Sequence, residues 1–191
     1  MNICIYGASS DAIDPVYLMR CEQLGRTLAS RGHGLVFGAG AKGVMGASAR
    51  GFYAGGGFIK GVAPTFFNVD GVLFEHCTEF VPTETMRERK QIMEDSADAF
   101  VIGPGGIGTF EEFFEILTLK QLGRHAKPIA VYNINGYYDA MLAMLQKSAD
   151  EKFMRELTLD LYRVFDDDDK MIEYLENSNE EHVDVVKMKI F

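Results

Sequence analysis

The chain has 191 residues, 47% of them hydrophobic and 25% charged, so one compact domain with a sizeable core is expected, and disordered, collagenous and coiled-coil classes are excluded. A net charge of −9 argues against binding a nucleic-acid backbone, and three cysteines (Cys4, Cys21 and Cys77) without a CxxC pair read as reduced thiols of a cytoplasmic protein. No apolar run approaches the roughly 18 residues that cross a bilayer, and the strand-like opening at 2–7 does not read as a signal peptide.

In chain order, short apolar runs at 3–6, 35–38, 58–63, 78–81, 99–102 and 129–132 predict strands, and helical patterns near 15–31, 43–55, 84–97, 109–122 and 137–149 fill the intervals. Continuous apolar strands separated by helices signal a mostly parallel sheet covered on both faces. The expected fold is therefore α/β, a single Rossmann-like doubly wound domain with ligands at the carboxyl ends of its strands. A last strand at 161–165 and a helix at 168–177 complete a domain of residues 1–180, and the alternating tail at 181–191 is expected to be an edge strand or docking arm. The acidic run at 166–169 reads as a solvated loop and helix N-terminus.

Two loops match GxGxxG, one from Gly38 to Gly43 and one from Gly103 to Gly108. Each follows a strand and opens a helix, so each can turn bare backbone N–H groups toward an anion. A dinucleotide site also needs an acidic residue about 20 positions on, to hold the ribose hydroxyls. Neither following strand carries one, which points to a mononucleotide rather than NAD. Thr109 and Glu112 have the T-x-x-E spacing of a capping box, at the start of a helix whose apolar stripe is Phe110, Phe113, Phe114 and Leu117, with Gly123 as its terminator. The same spacing also sets a carboxylate one turn into a helix, beside an anion-binding N-terminus.

In the helix near 84–97, capped by Thr83 or Thr85, Met86, Arg89, Lys90 and Met93 share one face. A cation turned toward the interior needs an anionic partner, either a carboxylate or a ligand. The histidines (His33, His76, His125 and His182) lack metal-ligand spacing and suit surface or capping roles; Cys4 and Cys21 read as small core residues.

The string from Pro104 to Glu112 fits PGGxGTxxE, and with Met86-Arg87-Glu88-Arg89-Lys90 it resembles the LOG (Lonely Guy) family of cytokinin riboside 5′-monophosphate phosphoribohydrolases, historically labelled possible lysine decarboxylases. Gly7-Ala8-Ser9-Ser10, the glycine loop from Gly38 to Gly46 and Lys127-Pro128 extend the likeness over most of the chain. The resemblance implies a Rossmann-like homodimer that hydrolyses the N-glycosidic bond of a nucleoside 5′-monophosphate without metal or redox cofactor. It makes Arg89 and Glu112 the catalytic pair. Lys90, Gly105, Gly106, Gly108 and Thr109 would hold phosphate and sugar, with Ser9, Ser10, Gly43 and Met86 lining the pocket. Arg87, where many members carry His, and Ala39, in place of a glycine, depart from the pattern. Two other readings compete: a non-catalytic nucleotide or cofactor carrier, and a pyridoxal-phosphate lysine decarboxylase, for which Lys42, Lys60 and Lys90 are candidates by residue type alone.

Overall fold

The computed structural model describes residues 1–67 and 69–178. Seven strands form one all-parallel sheet: β1 (Asn2–Tyr6), β2 (Gly34–Phe37), β3 (Ile59–Pro64), β4 (Glu79–Thr83), β5 (Ala99–Ile102), β6 (Ile129–Tyr132) and β7 (Arg163–Phe165). Their spatial order is β4-β3-β2-β1-β5-β6-β7. Five helices lie between strands, α1 (Pro15–Ser30), α2 (Gly43–Ala54), α3 (Met86–Ser96), α4 (Ile107–Gln121) and α5 (Asp139–Asp150), and α6 (Asp168–Asn177) follows β7.

Alternation along the strands explains the two layers. In β1, Ile3 and Ile5 face a core shared with α1, α2 and α6, whereas Cys4 and Tyr6 face a second core shared with α3, α4 and α5. Both cysteines expected in the core, Cys4 and Cys21, are buried. The predicted doubly wound domain is thus the observed one. Among the described residues no helix is long and apolar enough to cross a membrane. The predicted tail at 181–191, with His182, lies outside the described residues.

The chain winds outward from β1 to β4, then returns to β5 on the other side of β1. Loops leaving the carboxyl ends of β1 and β5 therefore diverge and open a crevice, the usual ligand position in such sheets. Helix starts follow the local sequence. Asp14 caps α1 by accepting from Val16 N, with Pro15 as the first helical residue. Thr85, rather than Thr83, caps α3 by accepting from Glu88 N. The acidic run provides Asp167 as the cap of α6, while Asp168 accepts from Arg20 and Tyr132.

Three local expectations are corrected. Helix α4 begins at Ile107 with Gly106 as N-cap and no side-chain cap, so Thr109 and Glu112 lie inside the helix and form no capping box. The buried face of α4 runs through Thr109, Glu112, Phe113, Ile116, Leu117 and Lys120, which leaves Phe114 at its solvent edge. His33 is buried rather than a surface group, with Nε2 2.8 Å from Glu176 Oε1, and it ties α6 to the start of β2. Gly123 terminates α4 as expected, with φ of 67°.

Candidate active site

The crevice holds a cavity of about 580 Å³, lined from β1's loop by Ala8 and Ser9, from β2's loop by Gly38, Gly40 and Lys42, and from α4 by Gly106 through Thr109 and Glu112. Helix α3 adds Met86 and Arg89.

Arg89 and Glu112 meet there. Arg89 Nη2 is 3.5 Å from Glu112 Oε1, with the side chains 8% and 10% exposed. The guanidinium also donates through Nε to the Val62 carbonyl at 3.3 Å, which anchors it to the end of β3. An ion pair this dry is costly unless its remaining donors and lone pairs are used. Burial dominates the carboxyl group: it pushes Glu112 up to about 7, against the opposing pull of the Arg89 charge. Arg89 therefore does not hold the carboxylate fully ionised, and Glu112 exchanges its proton near neutrality.

Beside this pair, in the same cavity, is the first turn of α4. The N–H groups of Ile107, Gly108 and Thr109 have no carbonyl four residues back within the helix, and no side chain caps them. A Cβ added at Gly106 or Gly108 would meet nothing within 4 Å, so their missing side chains leave open room at the cavity. Anions favour such a terminus.

The other glycine loop behaves differently. Gly43 N–H is taken by Asp11 Oδ1 at 2.7 Å, so this end of α2 is filled by the protein's own carboxylate. Gly43 has φ of 64°, and a Cβ there would fall 2.7 Å from Ser10 N; its bareness lets the 8–10 loop pack close. At Gly105 a Cβ would stand 2.6 Å from Thr109 Cβ, again a packing requirement. Ser10, Gly43 and Gly105 thus support the cavity from behind, whereas Ser9, Met86, Gly106, Gly108 and Thr109 line it. Lys90 is outside the lining: its ammonium is engaged by Glu111 and, at 2.6 Å, by Glu115.

Sequence reasoning missed another wall. Residues 71–74 fold back over the β2 loop, with Ala41 N donating to Val72 O at 2.9 Å, Phe74 N to Ala39 O at 2.8 Å, and an antiparallel bridge between Gly40 and Leu73. This turn and the preceding 3-10 turn bring Phe67, Val72 and Leu73 to the cavity beside Met45, an apolar flank of its lining. It also missed Tyr137 and Tyr138, whose hydroxyls donate to Gly105 O at 2.6 Å and Gly103 O at 2.7 Å. Adjacent tyrosines just after Asn-Gly at a strand's carboxyl end were the available signal.

Fold and site together define an α/β protein with an uncapped helix N-terminus and a buried Arg–Glu pair at the topological switch point. The family described as "Possible lysine decarboxylase" matches residues 45–175. Over 190 residues the chain is 32% identical to a cytokinin riboside 5′-monophosphate phosphoribohydrolase of Arabidopsis thaliana, covering 100% of this chain and 89% of that protein. It is 33% identical over 189 residues to a probable enzyme of the same name from Oryza sativa subsp. japonica, covering 98% and 78%. The chain belongs to this family, the LOG family. Its fold also matches the molybdenum cofactor carrier protein of Chlamydomonas reinhardtii, with TM-score 0.69 and 20% identity over 92% of this chain and 95% of that one.

The decarboxylase label does not suit the lysines. A Schiff-base lysine is desolvated so that its amine is neutral. Here Lys60 pairs with Glu79 at 3.1 Å, Lys90 with two glutamates, and Lys42 is exposed at the cavity mouth. Among the described residues no three His, Cys, Asp or Glu side chains are grouped to hold a metal ion.

Proposed function

We propose that this protein hydrolyses the N-glycosidic bond of nucleoside 5′-monophosphates, cytokinin riboside monophosphate and AMP, to free base and ribose 5-phosphate. The observation that carries the reading is the buried Arg89–Glu112 pair lining one cavity together with the uncapped start of α4. In the reaction, water adds to C1′ and gives its proton to the Glu112 carboxylate. The C1′–N bond breaks with its electron pair on the base, which takes a proton from solvent, and Glu112 returns the water's proton to solvent. The transition state has oxocarbenium character, which a carboxylate stabilises. A group that titrates near 7 is well matched to a general base working near neutral pH. Arg89 holds a ligand oxygen and orients Glu112. Ser9, Gly106, Gly108 and Thr109 receive the phosphate and sugar, with Met86 beside the nucleotide. That phosphate binding energy fixes C1′ against Glu112. Ser10, Gly43 and Gly105 contribute by shaping these loops, and Lys90 by bracing α3 on α4.

Exposed apolar groups on α4, Ile107 and Phe114, support a homodimer. The free thiols of Cys4, Cys21 and Cys77 support a cytoplasmic setting. Chromatographic detection of base released from AMP and from isopentenyladenosine monophosphate tests the activity, and light scattering the dimer. A carrier has no use for a proton-exchanging carboxylate beside C1′. Tight AMP binding by a folded wild type that frees no base would overturn the hydrolase reading in its favour.

A further inference from the structure

We infer that Tyr137 is a positioning residue for the phosphate-binding loop, an inference that rests on the reading of α4 as the phosphate site. Four successive carbonyls of the loop after β5 are each held by a donor. Gly103 O accepts from Tyr138 Oη, Pro104 O from Ala8 N, Gly105 O from Tyr137 Oη and Gly106 O from Phe110 N. In a trans peptide the C=O and the following N–H point in opposite directions. A hydroxyl that fixes the Gly105 carbonyl on the α5 side therefore fixes the Gly106 N–H toward the opposite side, where Gly106 lines the cavity.

Tyr137 is held for this task. Its ring stands edge-on to Tyr17 with centroids 5.7 Å apart, and to Tyr138 at 5.0 Å. The backbone that presents both tyrosines is set by Asn133, whose Oδ1 accepts from Tyr138 N at 2.7 Å and whose Nδ2 donates to Asp139 at 2.8 Å. The two hydroxyls have unequal consequences. The peptide fixed by Tyr138 leads into Pro104, which has no N–H to aim, so that buried bond is structural. The peptide fixed by Tyr137 ends in a donor that faces the ligand.

The test compares Tyr137→Phe and Tyr138→Phe for AMP, which carries the phosphate, and adenosine, which does not. Tyr137→Phe is expected to raise the Kd and KM for AMP about tenfold, the effect of one lost orienting hydrogen bond. It should leave adenosine affinity and the melting temperature near wild type. Tyr138→Phe is expected to lower the melting temperature instead, with less change in the ratio of AMP to adenosine affinity. Unchanged AMP affinity in Tyr137→Phe, or equal losses for AMP and adenosine, overturns the inference. The binding arms need no turnover, so a wild type that binds AMP without releasing base overturns the hydrolase reading and leaves Tyr137 to be judged by affinity. A wild type that does not bind AMP overturns both.

Discussion

The place of a side chain at Gly38 is occupied by the guanidinium of Arg89: a Cβ built on Gly38 would lie 2.8 Å from Arg89 Cζ and closer still to Nη2. The glycine at the end of β2 is thereby explained by an arginine 51 positions further along the sequence. Gly38→Ala is expected to fold, because a long side chain can swing aside, but to displace Arg89 from Glu112. The expected loss in kcat/KM is about 100-fold, for a misplaced catalytic group, with a melting temperature close to wild type.

Removing the pair itself should cost more. Glu112→Gln keeps the shape and removes the base, so kcat should fall by roughly 10²–10⁴-fold while AMP still binds. Arg89→Lys is not a conservative change, because a compact ammonium cannot reach Val62 O, Glu112 and a ligand oxygen together. Single-turnover rates with AMP measure both variants, and a Glu112→Gln protein with wild-type kcat would eliminate Glu112 as the base.

The proton affinity of Glu112 has a signature in stability. The unfolded carboxyl titrates near 4.5 and the folded one near 7. Between these values the folded state carries the extra proton, so its stability is full below about 4.5 and falls as pH rises toward 7. The gap of about 2.5 pH units corresponds to about 3 kcal/mol. Glu94, also pushed up to about 7 by burial and by Glu115, adds a decline of the same sign. Urea unfolding from pH 4.5 to 8 should therefore show a smaller decline in Glu112→Gln than in wild type. In activity the sign reverses: kcat/KM should rise with pH and level off above about 7, with this limb absent from the residual activity of Glu112→Gln.

Neighbouring glycines of the α4 loop should fail in different ways. Alanine at Gly105 would press on Thr109 Cβ and, at 3.0 Å, on Ala8 N, so Gly105→Ala should lower the melting temperature. Alanine at Gly106 meets no protein atom, so Gly106→Ala should fold normally. Its methyl would intrude at the proposed phosphate position, and the KM for AMP should rise at least tenfold. Melting curves alongside steady-state kinetics separate the two.

Much of this was legible in the sequence because parallel-sheet signals are local: apolar strands, helical spacing and glycine turns are each read within a few residues. Arg89 was legible as an interior-facing cation in need of an anion. The T-x-x-E reading failed for a physical reason. Three-residue spacing belongs both to a capping box and to a helix's buried face, and in α4 Thr109 and Glu112 occupy the latter. What was hidden depends on distant partners. Asp11 fills the end of α2, Glu111 and Glu115 engage Lys90, and Tyr137 reaches Gly105 across 32 positions. No local pattern encodes such meetings.

The turn that carries Leu73 back onto Gly40 has a consequence for how the protein can change. The apolar flank of the cavity comes from the crossover between β3 and β4, whereas Glu112 and the uncapped turn proposed to receive the phosphate come from α4. In the proposed reaction the apolar flank meets the base, so choice of base and cleavage of the bond are carried by separate stretches of chain. The crossover can be rewritten to suit a bulkier or leaner base while the hydrolytic apparatus is inherited intact.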